Sequence, residues 1–569
     1  MLKSQFWCTV KTRQIFILLI FAWFLINIIQ SLFTEIGNDE AYYWVYSQYP
    51  DWGYFDHPPM IALVIKIGTL LAGNTLIGVR LVVMILQLVY LFVLYKLSEL
   101  KETRENVILF FLVSFSVVML QAYGFVATPD SVLLFFAVLF LWSYRYYLRS
   151  DYSLKGALLM ALFMAGLMYS KYHGALVILF VFLSNLKLFK KSTFYYSVLS
   201  VIVLYIPHIL WQVNHDFPSI KYHLIDRSVG FKWNNIIDYI LNQLPVFNPF
   251  TLIAGIYVLF INKKGDLFNR ALKFLMAGFL IFFALWTFKS RVEPHWTIAA
   301  SIPMVILILR EAVENQNLKR YLYRVVAPSL ILVFAARLFL MIDILPIKTE
   351  WHGDKKRVED LYAFAGERPV VFTSGFQMPS KYRFYTGGEA HAMGALNYRN
   401  TQYDIWRFDE SYVDHQVVID FRNDTTGVVP TISGESVFNL KEVLHYQPYK
   451  RLEVIPDINN TPLSTKSVNE MGVKIVNPYN NTYNINHPSM PLQIYLVFIT
   501  EKDGKLVRER LAAISEFDSN EIYSGETVSG KILIDLSEYS AGVYDVYFAA
   551  GTPGVYPATL NKPVKVTFE

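Results

Sequence analysis

The chain has 569 residues, of which 54% are hydrophobic, 16% aromatic and 17% charged, and its formal net charge is +5. Charged residues usually make up about 25% of a soluble domain, so this composition excludes a wholly soluble protein and indicates a membrane protein. The lysines and arginines lie in short segments between apolar runs, which is typical of cytoplasmic loops and does not indicate a nucleic-acid-binding surface. The single cysteine, Cys8, excludes an intramolecular disulfide.

The N-terminal segment has a basic start followed by an apolar run from about 14 to 33. This run is longer than the apolar region of a typical signal peptide, and no small-residue cleavage site follows it, so we expect an uncleaved first span. Further runs long enough to cross a bilayer occur along the first 345 residues. We predict about eleven transmembrane helices, at 14–33, 77–95, 106–124, 131–148, 155–169, 173–186, 193–212, 245–262, 271–288, 296–309 and 325–345.

The apolar segment Met60–Gly73 is ambiguous, because Lys66 interrupts it and it is shorter than the roughly 20 residues that a span needs. If it crossed the membrane, every later loop would change sides. If it lies in the membrane interface, all the basic segments fall on one side with the N-terminus, which the positive-inside rule identifies as the cytoplasmic side. These segments lie at 3–13, 96–104, 145–155, 187–191, 263–273 and 310–324.

The same topology places a second set of segments on the outer face, which the positive-inside rule did not require. They carry carboxylates, a lysine, an arginine and histidines, mostly at helix ends, where ionisable groups can reach water and still line a cavity. These segments are 38–57, 128–130, 170–173, 213–244 and 289–295. We therefore expect a functional site on the outer side of the membrane.

After the last span the sequence becomes polar, with short alternating runs that are typical of strands, such as QVVIDF, KILIDL and GVYDVYFAA. The topology predicts that this C-terminal region, 346–569, is exported. We expect a transmembrane domain at 1–345, a mixed α/β domain at 346–450 and a β-sandwich domain at 451–569, because the last part consists of short strands separated by Gly, Asn and Pro turns.

The outer segment Asn38–Met60 places acidic residues among aromatic rings directly after the first span. Together with Lys171, Arg291 and His295, it supplies the groups that would act on the head group of a lipid-linked substrate. A carboxylate can accept a proton from an attacking hydroxyl, cations can hold a phosphate leaving group, and aromatic rings can pack against sugar or prenyl carbon.

Four motifs follow one another in the chain: NDEAYYW after the first span, then GYFDHPPM, TPDS and SKYHG. In this order they resemble the polyprenyl-phosphate-sugar-dependent glycosyltransferases of the C-type membrane fold, a family that includes bacterial relatives of the protein O-mannosyltransferases and of the lipid A aminoarabinose transferase. The resemblance covers about residues 14–345, and YRNTQYDIW at 398–406 is similar to the outer domains of some bacterial members. It implies a polytopic α-helical membrane protein of the C-type glycosyltransferase fold.

By motif position, the resemblance implies that Asp39 is the catalytic carboxylate, that Asp130 organises the site beside it, and that Lys171 holds the donor phosphate. Asp39 and its neighbour Glu40 would point about 100° apart on a helix, so only one of them can face the reacting centre. His57 stands where many relatives have a lysine before the paired prolines, so a permanent positive charge is not implied there.

The other predicted site residues fall into three groups. The supporting acids, beside Asp130, are Glu40 and Asp56. The donor-phosphate ligands, beside Lys171, are Arg291, His57 and Arg80, of which Arg80 matches the family arginine that follows the interfacial helix. The substrate contacts are Tyr42, Tyr54, Tyr172, His173, Glu293 and His295.

Several of these residues also have structural interpretations. Asp39 could stabilise a helix N-terminus, although an acidic pair in an aromatic loop at membrane level favours a functional role. Asp130 follows Pro129 at the start of a span and is equally typical of an ordinary helix N-terminus. Lys171 could merely extend to the interface, but the positive-inside rule disfavours lysine on this face. His173 and His295, each taken alone, are typical of hydrogen-bonded helix ends.

These observations predict an inverting glycosyltransferase of the bacterial inner membrane that transfers a sugar from a polyprenyl-phosphate donor to a hydroxyl of protein, lipid A or another glycan. A transporter or flippase of lipid-linked glycans is the alternative, but it would be expected to have ionisable residues near span centres and two pseudo-symmetric halves. A third hypothesis is a scaffold protein whose membrane part is only an anchor, but an anchor does not need so many spans. No cofactor is required by the sequence, and a divalent metal on Asp39, Asp130 and His57 stays open because no ligand spacing demands one.

Overall fold

A computed structural model of the chain describes residues 2–227, 230–262, 265–343, 347, 349–396, 398–421, 430–458, 462–502 and 505–569, with only the backbone at 2–10 and 499–508. The chain forms two compact units, Met1–His352 and Gly353–Glu569. The predicted boundary after residue 345 and the basic residues Lys263 and Lys264 lie outside the described residues. The division of the C-terminal region at 450 stays a prediction.

The first unit is helical. Its first helix contains no glycine or proline, so nothing interrupts the apolar run, and the Thr75 side chain caps the start of the fourth by accepting from Gly78 N–H over 3.0 Å. The α-helices are α1 Leu2–Phe33, α2 Asn38–Gln48, α3 Met60–Ala72, α4 Leu76–Ser98, α5 Arg104–Ser116, α6 Val118–Ala122, α7 Pro129–Arg149, α8 Leu154–Ser170, α9 Gly174–Leu183, α10 Ser192–Asn214, α11 Pro218–Lys221, α12 Trp233–Phe247, α13 Pro249–Ile261, α14 Leu267–Trp286, α15 Ser301–Ala312, α16 Gln316–Tyr321 and α17 Ala327–Met341.

Seven stretches of helix among the described residues are long and apolar enough to cross a membrane. They are Lys11–Phe33, Leu76–Ser98, Pro129–Arg149, Ser192–Asn214, Leu267–Trp286, Pro294–Ala312 and Gln316–Met341. The pair α12 and α13 would make an eighth span, although the two helices meet at an angle of 100°. The predicted polytopic membrane domain is confirmed, whereas the number of eleven spans is not, because α8 and α9 are shorter and the predicted span 106–124 is divided into α5 and α6.

The predicted interfacial segment forms α3, whose 13 residues extend about 20 Å, too short for the roughly 30 Å of a hydrocarbon core. It packs closely against α4 through two glycines. A Cβ atom on Gly68 would lie 2.2 Å from the carbonyl oxygen of Gly78, and one on Gly78 would lie 2.0 Å from that of Gly73. Only glycine allows the backbones to come this close, so these residues fix the α3–α4 hairpin.

The second unit is a mixed α/β structure followed by a β-rich region, as predicted. Its helices are α18 Asp354–Ala365, α19 Gln377–Thr386 and α20 Tyr403–Trp406. A five-stranded sheet has the order β2-β1-β3-β5-β4, in which β1 Val370–Phe372 is parallel to β2 Ala390–Ala392 and β3 Val417–Asp420, while β4 Pro430–Ser433 and β5 Ser436–Val443 are antiparallel. Two parallel neighbours of β1, with helices in the connections, are typical of α/β units.

The β-rich region forms one eight-stranded antiparallel sheet of order β14-β13-β9-β10-β12-β7-β6, with β15 paired to β13, and a two-stranded sheet of β8 and β11. Residues Val454 and Val555, from the two terminal strands, share one buried cluster with Phe498, so the sheet curves around a common core. The strands are β6 Glu453–Pro456, β7 Asn469–Val476, β8 Tyr483–Asn484, β9 Gln493–Lys502, β10 Lys505–Phe517, β11 Glu521–Ile522, β12 Thr527–Ile534, β13 Gly542–Thr552, β14 Val555–Ala558 and β15 Val564–Phe568.

Candidate active site

Glu40 and Arg80 form an enclosed ion pair, with side chains that are 1% and 0% exposed. Arg80, near the start of α4, donates from Nε to Glu40 Oε1 over 2.9 Å and from Nη2 to Oε2 over 2.6 Å. The guanidinium also donates to the carbonyl oxygens of Ser31, Thr34 and Glu35 at the end of α1 and just after it. A bidentate pair fixes the planes of both groups, so Arg80 ties together α1, α2 and α4.

Glu40 also holds the start of α2. Its Oε2 accepts the backbone N–H of Gly37 over 3.0 Å, and its Oε1 accepts that of Ala127, just before α7, over 2.9 Å. Burial alone would raise the pKa of Glu40, but Arg80 and these hydrogen bonds outweigh burial and hold the pKa below its usual value. Glu40 therefore stays charged, and its contacts make it a positioning residue that connects α2 with α4 and α7.

The adjacent acid, Asp39, has different surroundings, because its side chain is exposed where that of Glu40 is buried. Tyr43 lies one helical turn further along α2, and the pKa of its hydroxyl depends on the charges around it. Burial raises the pKa of the Tyr43 hydroxyl, and the carboxylates of Asp39, Asp56 and Asp130 raise it further. Three carboxylates from two distant segments therefore lie close enough to raise the pKa of the same hydroxyl, and Asp39 is a member of this group that solvent can reach.

Asp130 and Lys171 form a second buried ion pair. Lys171 Nζ donates to both carboxylate oxygens of Asp130 over 2.8 Å, and each side chain is 5% exposed. Asp130 lies in the first turn of α7, which begins at Pro129, and Lys171 directly follows α8. His295 Nε2 lies 3.9 Å from Asp130 Oδ2, so the segment before α15 also reaches this pair.

A cavity of about 240 Å³ lies beside Lys171. Its polar lining comprises His57, Lys171, Tyr172, His173 and His223, and aromatic rings of Phe282, Phe283, Trp286 and Trp296 line the rest together with Ala175, Leu176 and Leu224. The Nδ1 atoms of His57 and His173 are buried and have no hydrogen-bond partner among the described residues. The cavity thus offers a cation, imidazole rings and flat apolar rings.

The first outer loop is held by its own polar groups. Tyr46 donates its hydroxyl to Asp56 Oδ1 over 2.5 Å, and the ring of Tyr54 stacks on that of Tyr46 with centroids 3.9 Å apart. Tyr42 and Tyr54 are almost fully buried, so they pack the interior of the loop. Burial lowers the pKa of His57 to about 3, so its imidazole is neutral near pH 7 and can contribute hydrogen bonds but no permanent charge.

A hydrogen-bonded network joins Tyr172 to this loop. Its hydroxyl lies 3.1 Å from His208 Nε2 and accepts from Gln212 Nε2 over 3.0 Å, and His208 Nδ1 lies 2.7 Å from the carbonyl oxygen of Trp52. This network connects α10 with the segments that follow α2 and α8.

Sequence reasoning did not single out two residues of this region: His223, which lines the cavity, and Arg227, which lies over the ring of the lining residue Trp296. His223 Nε2 is 3.0 Å from the Asp56 carbonyl oxygen. Arg227 donates to Glu293 Oε1 over 2.9 Å, and its guanidinium lies 4.7 Å from the Trp296 ring centroid. Both residues fall in the predicted outer loop 213–244 and are four positions apart, a spacing that places side chains on one face of a helical turn and could have indicated them.

The predicted phosphate ligands are therefore divided by the structure. Lys171 and His57 line the cavity, Arg291 is exposed, and Arg80 is enclosed in its pair with Glu40. Within the described part of the chain, no three His, Cys, Asp or Glu side chains converge as a set of metal ligands.

The fold of the chain is similar to that of solved structures. The structure superposes on the crystal structure of ArnT from Cupriavidus metallidurans in its apo state with a TM-score of 0.54 and 13% identity, covering 77% of this chain and 98% of that one. The ArnT structure bound to undecaprenyl phosphate gives a TM-score of 0.55, with 75% and 97% covered. The chain therefore has the C-type glycosyltransferase fold, as predicted.

Sequence comparisons agree with the fold. Residues 56–211 match the dolichyl-phosphate-mannose-protein mannosyltransferase family model. The lipid A galacturonosyltransferase RgtD of Rhizobium johnstonii is 25% identical over 290 residues, which are 48% of this chain and 60% of that protein. The chain thus spans about 60% of the length of this curated relative. The resemblance to polyprenyl-phosphate-sugar-dependent glycosyltransferases that the motifs predicted is confirmed.

Proposed function

We propose that this protein is an integral-membrane glycosyltransferase that transfers a sugar from a polyprenyl-phosphate donor to a hydroxyl acceptor, with inversion at the anomeric carbon. One observation carries the proposal: the buried Lys171 lines a cavity of aromatic rings and histidines, and its partner Asp130 and the accessible Asp39 both act on the hydroxyl of Tyr43. The family match of residues 56–211, which includes His57, Asp130 and Lys171, supports the same reaction class. The comparisons give no support to a transporter or flippase.

In the proposed reaction, Asp39 accepts the proton of the acceptor hydroxyl as its oxygen attacks the anomeric carbon. A new carbon–oxygen bond forms on the face opposite to the phosphate, and the bond between the anomeric carbon and the phosphate oxygen breaks. The polyprenyl phosphate leaves with the bonding electrons, and Lys171 and Arg291 stabilise its added negative charge. Without the donor, Asp130 balances the positive charge of Lys171. When the donor binds, its phosphate balances part of this charge instead.

The cavity suits the sugar of the donor. Its volume of about 240 Å³ is close to the lower end of small-molecule pockets, which begin at roughly 300 Å³. Sugar hydroxyls can bond to polar groups of the lining, such as Lys171 and Tyr172, and the apolar face of a sugar ring can pack on Trp296. These features favour a donor that carries a single sugar.

Lipid A is the acceptor that we propose first, because the relative RgtD is named a lipid A galacturonosyltransferase. Protein and other envelope glycans are the other acceptors to test. The experiment supplies a radiolabelled polyprenyl-phosphate monosaccharide to the purified chain in nanodiscs with each acceptor, with and without EDTA, so that a requirement for a divalent metal is measured in the same assay.

Asp39→Asn tests the mechanism, because it keeps the shape of the side chain and removes the base. We expect transfer to fall by roughly 10²- to 10⁴-fold, the usual loss for a positioned general base, while donor binding and the melting temperature stay unchanged. Asp216→Asn is the matched control. It changes an exposed aspartate of the predicted outer segment 213–244 and should keep full activity. Full activity of Asp39→Asn would remove Asp39 as the base.

We further propose that the site faces the periplasm of a bacterial inner membrane and that the C-terminal unit is exported. The basic segments near one end of the bundle support this orientation. A reporter that is active only outside the cytoplasm should be silent when fused after Lys190 and active when fused after Glu569. Activity after Lys190 would reverse the topology and place the site on the cytoplasmic side.

A further inference from the structure

A second charged cavity lies at the end of the bundle opposite to the candidate active site. Its volume is about 380 Å³, and it lies between α1, α4 and the start of α5. Along α4, Arg80 at the active-site end and Lys96 at this cavity are 16 residues apart, which corresponds to about 24 Å of helix. The lining residues are Thr12, Arg13, Phe16, Ile17, Phe92, Tyr95, Lys96, Glu102 and Val107.

Two cations of this cavity share a single carboxylate. Arg13 Nε lies 3.2 Å and Lys96 Nζ 3.3 Å from the Glu102 side chain, and the cationic side chains remain 72% and 49% exposed. Arg13, Lys96 and Glu102 thus carry one net positive charge. The exposed Lys101 and Arg104 add to it, so the mouth of the cavity attracts anions.

The neighbouring acids Glu99 and Glu105 do not cancel this charge, because both have other partners; Glu105 pairs with Lys319. Glu99 accepts from Arg149 over 2.6 Å and from Arg310 over 2.9 Å, and it also pairs with Arg145. The positive charge at the cavity is therefore not neutralised from that side.

The apolar part of the cavity continues into the surface that would face lipid. Ile17 is 63% and Phe92 48% exposed, and Phe21, one turn beyond Ile17 on α1, is 56% exposed. Lys96 Nζ lies 5.7 Å from the Phe92 ring centroid and 5.9 Å from that of Tyr95. A cationic mouth above an apolar wall matches a phosphate group that is joined to a hydrocarbon chain, and a free phosphate ion would use only the mouth.

We propose that this cavity binds one acidic phospholipid. Its phosphate would be held by Arg13 and Lys96, and the first part of an acyl chain would lie against Phe16, Ile17 and Phe92. Basic pockets between membrane helices are typical sites for anionic lipid head groups. Glu102 holds the two cations close together. When the lipid binds, the phosphate replaces Glu102 as the acceptor of some of their hydrogen bonds. This binding site is separate from the donor and acceptor sites of the proposed reaction.

Native mass spectrometry of the delipidated full-length chain tests the proposal, with dioleoylphosphatidylglycerol and dioleoylphosphatidylcholine as probes. We expect one tightly retained phosphatidylglycerol and weaker retention of phosphatidylcholine. Arg13→Gln with Lys96→Gln should weaken phosphatidylglycerol binding by about tenfold or more, since each cation near anionic lipid contributes appreciably to binding. Lys187→Gln with Lys190→Gln, in two exposed lysines of another basic segment, is the matched control and should change binding by less than about twofold.

Two further measurements keep the proposal falsifiable. Glu102→Gln removes the competing carboxylate and should retain or strengthen phosphatidylglycerol binding. Inorganic phosphate at millimolar concentration should not displace the lipid, whereas displacement would identify a free-phosphate site instead. Equal retention of phosphatidylglycerol in the Arg13 and Lys96 double variant and in the control, with unchanged melting temperatures, would overturn the proposal, as would equal retention of the two lipids by the unaltered chain.

Discussion

The Glu40–Arg80 pair and the Asp130–Lys171 pair are two buried ion pairs at the same end of the membrane unit, but their surroundings differ. The Glu40–Arg80 pair has further partners within the protein. Backbone N–H groups donate to the Glu40 carboxylate, and the Arg80 guanidinium donates to backbone carbonyl oxygens. The Asp130–Lys171 pair lies beside a cavity.

This difference separates a structural charge from a functional one. A charge that has all its hydrogen bonds within the protein fixes the positions of helices and has little capacity left for a ligand. A charge next to a cavity can exchange an internal partner for a substrate. Both Arg80 and Lys171 are buried, so burial alone does not separate them, and the motif comparison had predicted both as phosphate ligands.

Replacing Arg80 should produce the largest loss of stability. Arg80→Met leaves the Glu40 carboxylate buried without its counter-ion, and breaking one side of a buried pair typically costs about 3–5 kcal/mol. Thermal unfolding of the purified protein in detergent would measure this loss. A melting temperature equal to that of the unaltered chain would show that Glu40 finds another counter-ion.

Replacing Lys171 should affect the ligand more than the fold. Lys171→Met removes a charged hydrogen-bond donor worth roughly 1.5–3 kcal/mol, so donor affinity should fall by about 10- to 100-fold. The melting temperature should fall less than in Arg80→Met, because water and histidines beside the cavity can solvate Asp130. Donor titration and thermal unfolding of the two variants, measured side by side, test the contrast. Unchanged donor affinity would contradict the role of Lys171.

Near neutral pH, the effect of pH on stability should be the smallest of the three. Burial lowers the pKa of His57 to about 3 in the folded chain, below the ordinary value of 6.5. Between these values the unfolded chain binds a proton that the folded chain does not, so stability falls as the pH decreases from 6.5 towards 3. His57→Gln should flatten this part of the profile of melting temperature against pH. A profile as steep as that of the unaltered chain would assign the dependence to other groups.

Much of the fold could be predicted from the sequence, because apolar length and basic loops report directly on membrane insertion. The number of spans could not. Val117 interrupts the predicted span 106–124, and Asn248 adopts a positive φ of 67° between α12 and α13, which meet at 100°. Hydropathy does not register a local change of backbone direction.

The sequence suggested several members of the candidate site, but it did not indicate which side chains form ion pairs. Motifs indicated Asp39, Asp130 and Lys171, but the partner of Arg80 lies 40 residues away in sequence, and no periodicity connects the two. The roles of Asp39 and Lys171 stay predictions for the experiments above. His223 and Arg227 were missed because the long outer loop has no regular apolar spacing, so their separation of four positions was the one available signal.

The contacts of Glu40 have a consequence for biogenesis. Its partners, Gly37, Arg80 and Ala127, emerge from the ribosome at different times, because α4 and the entry to α7 are synthesised well after α2. The start of α2, which carries Asp39, acquires its full set of hydrogen bonds only when those later helices have been inserted and packed. A nascent or truncated chain that ends before α7 therefore lacks the hydrogen bond from Ala127 to Glu40, and the start of α2 is fully held only in a completely assembled membrane unit.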